Sequence, residues 1–309
     1  MSVDNINLTA ATPARTYTCP WCGTVSDGTT LSCPACGVTV DVRQTVTRSE
    51  WVELPGRKDM AKLQFGNSYC QIEGAYVPVA DVDLGAEDTV YFGHHSLLWM
   101  DPQVRLSAMS MKGAWKRLMA GLPIIMTQAQ GPGHIAFSRD VPGEMIALPL
   151  QRGQSVDVRE HIFLVATGQV TYDWSQTGIW FTTKDGDDTE THYPIGMYMD
   201  RFSSPATPGL LLLHAGGNVF VRQLASGQSI LIKPTSLLFK APTVHMQLHI
   251  EQPRNTATPW NSWTSSWNNR HIWLRLTGPG RVAVQSAYEY MEDNGRSIYS
   301  HSNATWQRW

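Results

Sequence analysis

The feature that most constrains this chain is an internal repeat. Three segments align without gaps, and each alternates apolar and polar residues through short strands separated by turns. They are EDTVYFGHHSLLWMDPQVRLS (87–107), GQSVDVREHIFLVATGQVTYD (153–173) and GQSILIKPTSLLFKAPTVHMQ (227–247). A period of two is typical of half-buried β-strands, and regular self-similarity indicates stacked units around a shared core. The repeat predicts an all-β body of three similar units, of the β-sandwich or β-prism kind.

Glycine-led strands separate and follow the repeats. They are GPGHIAFS (131–138), GGNVFVRQL (216–224) and GPGRVAVQS (278–286). Since GPG recurs at repeat-related positions, turn geometry explains it better than phosphate binding. The patterns predict a disordered N-terminus (1–17), a small ribbon (18–40), a linker (41–62), the three-repeat body (63–292) and a C-terminal tail (293–309).

Two short stretches before the body have the spacing of a metal site. Cys19 and Cys22 form one CxxC pair, Cys33 and Cys36 form the other, and a glycine follows each pair. Four thiolates complete the tetrahedral shell of a structural Zn²⁺. The glycines can adopt a left-handed backbone that lets amides approach the sulfurs. We predict a zinc ribbon with these four ligands and a hairpin turn at the DG dipeptide.

Other chemistry at these cysteines is less favoured. A redox CxxC usually opens a helix in a βαβ unit, and no such unit follows. A four-thiolate shell leaves no open position for catalysis. An iron–sulfur cluster remains an alternative by ligand type. The fifth cysteine, Cys70, lies in a strand-like stretch and is interpreted as a small buried apolar residue.

Composition narrows the function classes. The chain has 309 residues and a net charge of −2, which gives no electrostatic reason to expect nucleic acid as a partner. No apolar run approaches the ~18 residues of a membrane span, and the N-terminal sequence lacks the apolar core of a secretory signal. We expect a cytoplasmic protein, with peripheral attachment to a membrane surface left open.

Two segments are candidate contact surfaces. SAMSMKGAWKRLMAG (107–121) places Trp115 and other apolar residues at helical spacing, which predicts a short amphipathic helix. Trp260, Trp263 and Trp267 lie in a loop of Asn, Ser and Thr. Clustered aromatic residues suit contact with a subunit, another protein or a membrane surface. Packing of each segment onto its own body is the competing interpretation.

No catalytic pattern emerges from the remaining polar residues. His245 and His249 are too far apart along one strand to share an ion, and His94 and His95 lie at a repeat corner. The acidic stretch at 184–192 is interpreted as a solvated hairpin rather than a calcium loop. The sequence contains no phosphate-binding loop and no nucleophile elbow. We therefore expect a protein that is not an enzyme.

Several ordered motifs resemble the altered inheritance of mitochondria protein 24 family. They are MKGAWKRLMAGLPIIMTQAQGPGHIAFSRDVPGEMIALPL (111–150), PGEMIALPLQRGQSVDVREHIFLVA (142–166) and LRLTGPGRVAVQSAYEY (274–290). The resemblance implies a fold similar to the trp RNA-binding attenuation protein, often in a cyclic homotrimer, without catalytic residues. The ribbon and the tryptophan loop are additions to the family pattern.

Together these features predict a homo-oligomeric scaffold with structural Zn²⁺, which docks a protein partner or a membrane surface. The expected oligomer is a homotrimer or another ring. The alternative is a ligand- or RNA-binding module that uses the β-body, which rests on fold analogy alone.

Overall fold

The structure is a computed structural model of the whole chain. It describes residues 16–18, 22–27, 33–37, 51–54, 63–74, 76–109, 126–139, 141–185, 187–252, 272–288, 297–299 and 304–308. The chain divides into two compact units, Met1–Val52 and Glu53–Trp309. The second unit contains the β-body predicted from the repeat.

The N-terminal unit contains a short antiparallel pair of strands. β1 (Thr16–Thr18) pairs with β2 (Val25–Asp27), so the first cysteine knuckle lies between the two strands. β1 begins before residue 18, where the sequence placed the start of the ribbon. The hairpin turn predicted at DG leads into residues 28–32, which lie outside the described residues.

The next eleven strands comprise three that precede the repeats, the six strands of repeat 1 and the first two strands of repeat 2. Three precede the repeats: β3 (Val52–Leu54), β4 (Leu63–Phe65) and β5 (Ser68–Glu73). The six strands of repeat 1 are β6 (Val79–Leu84), β7 (Thr89–Phe92), β8 (Leu97–Met100), β9 (Arg105–Ala108), β10 (Thr127–Gln130) and β11 (Gly133–Phe137). Repeat 2 begins with β12 (Gly143–Leu150) and β13 (Ser155–Arg159).

Repeat 2 carries an extra hairpin between its fourth and fifth strands. It continues with β14 (Phe163–Thr167), β15 (Thr171–Gln176), the hairpin strands β16 (Phe181–Asp185) and β17 (Asp188–His192), then β18 (Tyr198–Ser203) and β19 (Gly209–Gly216). The hairpin occupies the acidic stretch, so the interpretation of 184–192 as a hairpin is confirmed.

Repeat 3 has six strands, and two short strands follow it. They are β20 (Val219–Leu224), β21 (Ser229–Ile232), β22 (Leu237–Lys240), β23 (His245–Gln252), β24 (Ile272–Thr277), β25 (Gly280–Gln285), β26 (Ser297–Tyr299) and β27 (Ala304–Arg308). β26 pairs with β16 and β27 pairs with β23, so two strands lie within the segment predicted as a C-terminal tail.

The three repeats pair their strands in the same way. In each, the sixth strand lies between the first and third, and the fifth lies between the second and fourth. Each repeat thus forms two three-stranded halves. The turns before β11 and β25 are equivalent, and Gly133 and Gly280 adopt positive φ angles of 133° and 144° there. The prediction of an all-β body of three similar units is confirmed.

Neighbouring repeats join by pairing the second strand of one with the third strand of the next. β7 pairs with β14, and β13 pairs with β22. The result is a six-stranded sheet shared by repeats 1 and 2, and a seven-stranded sheet, ending in β3, shared by repeats 2 and 3. Buried apolar side chains form two clusters, each containing residues from neighbouring repeats.

The first residues of the segment predicted as a helix form a β-strand instead. Ser107 and Ala108 lie in β9, because they pair with β10 in an antiparallel ladder, so the helix predicted over 107–121 is wrong at its start. Residues 110–125, including Trp115, lie outside the described residues. The described part of the chain contains no helix with the length and hydropathy needed to cross a membrane.

Cys70 lies in β5 and is fully buried, as its interpretation as a small apolar residue required. Burial, with a smaller effect of Asp81, raises the pKa of this thiol to about 12. It is therefore a neutral packing residue at physiological pH.

Candidate functional site

Three of the four predicted metal ligands lie together. The sulfurs of Cys22, Cys33 and Cys36 lie within 4.8 Å of one another. The Sγ atoms of Cys22 and Cys33 are 3.6 Å apart. A tetrahedral shell with Zn–S bonds of about 2.3 Å places its sulfurs about 3.8 Å apart, so this spacing fits the ion. Cys19 lies outside the described residues.

The backbone around these cysteines has the geometry that their glycines predict. Gly23 and Gly37 follow the two knuckles, and their φ angles are 70° and 73°. A left-handed φ is inexpensive only for glycine. The Gly37 N–H donates to the Cys33 carbonyl across a 2.8 Å bond, which closes the second knuckle into a tight turn.

Thr24 is a supporting residue that the cysteine spacing does not reveal. Its hydroxyl lies 3.2 Å from the Cys22 sulfur. Hydrogen bonds from the side chain and then the backbone of Thr24 lower the pKa of Cys22 to about 6, against a smaller opposing effect of desolvation. Cys22 is therefore largely thiolate at neutral pH, the form that binds a metal ion.

We expect Thr24→Val to raise the pKa of Cys22 in the metal-free protein. The hydroxyl bond is lost while the backbone bond remains, so the midpoint should move from about 6 towards the ordinary thiol value of 9.0. The rate of iodoacetamide alkylation against pH, followed at Cys22 by peptide mass spectrometry, measures this midpoint. A Thr16→Val variant is the matched control, because Thr16 pairs with Asp27 at the end of β1–β2 away from Cys22. An unchanged midpoint in Thr24→Val would contradict the role given to the hydroxyl.

The predicted contact tryptophans lie in segments outside the described residues. Trp115 belongs to 110–125, and Trp260, Trp263 and Trp267 belong to 253–271. Both segments join the fourth strand of a repeat to its fifth. Repeat 2 has its β16–β17 hairpin at the same place. All three long connections therefore leave the body at equivalent positions.

Two strands equivalent to those that join neighbouring repeats have an edge that no described strand covers. The second strand of repeat 3, β21, has β24 on one side only, and the third strand of repeat 1, β8, has β11 on one side only. In repeats 1 and 2 the strands equivalent to β21 each pair with the next repeat. The missing junction is thus the one between the last repeat and the first.

Several exposed apolar side chains lie on these two strands. Leu98, Trp99 and Met100 of β8 are exposed apolar residues, and so is Leu231 of β21. Leu98 is a bulged residue, skipped in the pairing of β8 with β11, and Leu164 and Leu238 are skipped in the same way. Leu98 is 52% exposed, whereas its two equivalents are 0% exposed.

The buried leucines show what normally covers this position. Leu164 of repeat 2 packs in a cluster with Val90 and Phe92 of repeat 1. Leu238 of repeat 3 packs with Val156 and Val158 of repeat 2. Each bulged leucine therefore lies in a core shared with the preceding repeat, and Leu98 has no preceding repeat in its own chain.

A buried ion pair marks the junction between repeats 2 and 3. Asp157 on β13 lies opposite Lys240 on β22, and the Lys240 Nζ is 2.8 Å from the Asp157 Oδ2. Arg201 donates two further bonds to the same carboxylate, at 2.6 and 2.9 Å. Burial alone would raise the pKa of Asp157, but the bonds and charges of Arg201 and Lys240 together lower it.

The sequence profile of the mitochondrial biogenesis AIM24 family matches residues 70–287. The chain belongs to this family. The matched range covers all the strands of the three repeats and omits Cys22, Cys33 and Cys36. The family resemblance noted in the sequence is confirmed.

A solved structure has the same fold as this AIM24-family chain. The X-ray crystal structure of protein SPYM3_0169 from Streptococcus pyogenes has a TM-score of 0.51 and is 17% identical. The similarity covers 72% of this chain and 94% of the other. No curated protein matches the chain. At this identity the likeness concerns the fold alone.

Proposed function

We propose that this AIM24-family protein is a non-enzymatic scaffold whose chains assemble head to tail into a closed ring, with a homotrimer as the expected size. The family description refers to a process, mitochondrial biogenesis, rather than to a reaction. One observation carries the proposal: β21 and β8, each with one uncovered edge, are equivalent to the strands that pair at both junctions within the chain.

The repeat alignment gives the register of the proposed junction. Within the chain, Tyr91 lies opposite Ala166, and Asp157 lies opposite Lys240. The equivalent residues at the open edges are Leu231 on β21 and Met100 on β8. By the same alignment Ile232 lies opposite Trp99. We infer an antiparallel pairing of these strands between two copies, which buries the exposed apolar residues.

The cysteine cluster has a separate role in this proposal. Cys22, Cys33 and Cys36, with Cys19 as the fourth ligand, would hold structural Zn²⁺. The ion would replace the apolar core that so short a segment lacks. The lowered pKa of Cys22 supports metal binding at neutral pH. The ion supplies folding stability, and no reaction step is assigned to it.

Docking is the remaining part of the proposal. We place the partner contact, a protein or a membrane surface, at the connections between fourth and fifth strands, which include Trp115, Trp260, Trp263 and Trp267. Their equivalent positions support this, because chains arranged around a ring axis would present their connections repeatedly. Many weak contacts presented together give strong attachment.

A disulfide between copies tests the assembly. The double variant Met100→Cys with Leu231→Cys should form intermolecular disulfides under mild oxidation, because directly opposed residues of antiparallel strands have Cα separations within the range that a disulfide spans. On non-reducing gels we expect linked species up to three chains and none beyond, since a closed ring limits the number of links.

Matched variants distinguish disulfides that depend on the strand register from disulfides formed by chance collision. Trp99→Cys with Leu231→Cys uses the same two strands but places the thiols on opposite faces, so it should link far less. Each single variant should remain unlinked at these positions. Only monomers in the Met100–Leu231 variant would contradict the head-to-tail junction. A ladder continuing past three chains would contradict the closed trimer.

A further inference from the structure

Equivalent spaces at the two junctions within the chain differ in how they are filled. The space between repeats 1 and 2 is lined by Val90, Val165 and Leu210 and has a volume of about 10 Å³. The space between repeats 2 and 3 is lined by the aligned Val156 and Phe239, with Arg281 in place of Leu210, and measures about 400 Å³. The same architecture thus gives one closed core and one cavity.

The β4–β5 hairpin explains the difference. Phe65 of β4 and Cys70 of β5 complete the wall of the small space. β5 pairs antiparallel with β6, the first strand of repeat 1, and places Cys70 opposite Val82. The first strand of repeat 2 is β12, and no described strand pairs with its outer edge. Among the described residues, an extended segment of the chain therefore fills one of the two equivalent spaces and not the other.

The outer edge of β12 presents unused backbone groups. On its inner side β12 pairs with β19, where Leu210 donates its N–H to Thr167 Oγ1 and His214 donates its N–H to the Ile162 carbonyl, both away from β12. Of their partners on β12, Met145 must therefore direct its N–H and carbonyl outward, and Pro149, which has no N–H, its carbonyl.

The same alternation places Ala147 between them with its N–H and carbonyl outward. Gly143 confirms the pattern, because its N–H donates outward to the Tyr76 carbonyl. Within the described residues the edge from 145 to 149 can accept another strand. Pro149 blocks continuous pairing at one end, a common limit on edge strands.

One side of the cavity carries a charged residue, Arg281, where its filled equivalent has the apolar Leu210. Arg281 is exposed, and no described carboxylate forms an ion pair with it. Gln154, Ser155 and Gln223 add polar groups, while Leu148 and Phe239 keep the floor apolar. An occupant therefore needs an extended backbone, a bulky apolar side chain and a negative charge.

We propose that this groove, between the outer edge of β12 and repeat 3, binds an extended acidic and apolar segment of another protein by strand addition. The segment pairs antiparallel with β12, as β5 pairs with β6. An apolar side chain enters the cavity over Phe239, and an acidic side chain reaches Arg281. The site lies within one chain, so it does not depend on the ring.

The chain itself supplies the probe. A fluorescent peptide copies residues 63–73 with Cys70→Glu. Cys70 and Leu210 line the same filled space, so the new carboxylate would face Arg281, which takes the place of Leu210 in the cavity. The same peptide with Cys70→Val is its neutral match. Fluorescence polarisation with the full-length protein should give saturable binding, with the Cys70→Glu peptide about fivefold tighter, the range of a rim ion pair. Arg281→Glu should reverse that preference.

Two variants locate the bound peptide. Ala147→Pro removes an outward N–H without breaking a bond to β19, and should weaken binding about tenfold or more. Ala241→Trp fills the cavity and should abolish binding while the melting temperature is kept. Wild-type affinity in both variants would overturn the proposal, because the peptide would then be exchanging with β4–β5. Absence of binding to the wild type at millimolar peptide would also overturn it.

The remaining outcomes identify a different occupant. Binding that appears only after removal of residues 1–15 would assign the groove to this chain's own N-terminal segment, and would overturn the proposal. A fall in the mass of the Ala147→Pro protein by light scattering would assign it to a second copy, with the same consequence. An unchanged mass with lost peptide binding supports the groove, whether or not the wild type forms a ring.

Discussion

Leu98→Arg is expected to convert the assembly into single chains without unfolding them. In a single chain Leu98 is 52% exposed, so a charged side chain there meets water. At the proposed junction it would lie where Leu164 and Leu238 lie, in a core with 0% exposure. Lost leucine burial removes about 1.5–3 kcal/mol and a buried guanidinium costs several more, against about 8 kcal/mol for a micromolar dissociation constant.

Multi-angle light scattering at micromolar concentration measures the expected change from three chains to one. Leu106→Arg is the matched control, because Leu106 is an exposed leucine of the same repeat that lies on β9, away from both open edges. It should leave the mass unchanged. An oligomer of wild-type size in Leu98→Arg would contradict the proposed junction, while circular dichroism distinguishes dissociation from loss of the fold.

The residues that lie opposite each other differ between the two junctions within the chain and the proposed junction between copies. This difference favours pairing of β21 with β8 over other strand pairings. Tyr91 with Ala166 and the ion pair of Asp157 with Lys240 are made within the chain. Only the Leu231 and Met100 pair is left for the contact between copies. A copy that inserted β8 against β13 would place Met100 opposite Asp157 and leave Lys240 without its carboxylate. An unpaired buried charge is strongly unfavourable, so such an exchange is disfavoured.

The repeat could be predicted from sequence because its strands alternate apolar and polar residues with a period of two. The segments from 87, 153 and 227 have this pattern, and the structure places two strands of each repeat and the start of a third within them. The sequence did not predict which residues lie at an open edge. Leu98, Leu164 and Leu238 have the same local pattern, and only chain order decides that Leu98 lacks a preceding repeat.

The other differences between the sequence-based predictions and the structure also arise from strand pairing between distant segments. Residues 107 and 108 have a helix-compatible pattern, but the ladder with β10, which returns after a long connection, makes them strand. The local sequence also does not predict that the space beside β6 is filled and the space beside β12 is open. This difference depends on the β4–β5 hairpin, which pairs with β6. By contrast, the spacing of the cysteines was enough to predict that they lie together, whereas the contact of Thr24 with Cys22 depends on the folded backbone.

The second large effect is expected from Asp157→Asn, which should destabilise the body by about 3–5 kcal/mol. The substitution keeps the shape of the side chain but leaves the buried Lys240 ammonium without its carboxylate. Lys240→Met should cost less, because Asp157 keeps both bonds from Arg201. Urea unfolding at one fixed protein concentration measures these differences, since assembly makes stability depend on concentration.

The pH dependence and the double variant make the test specific to charge. Because the folded pKa of Asp157 is lowered, its stabilisation is fully present above the ordinary value of 3.8 and is lost as the pH falls through the lower folded value. The gap between the wild type and Asp157→Asn should therefore persist at pH 7 and narrow in acid. Asp157→Asn with Lys240→Met should be less destabilised than the sum of the two single variants, since neither buried charge then lacks its partner. Additive losses, or a gap independent of pH, would mean that Asp157 contributes through packing rather than through its charge.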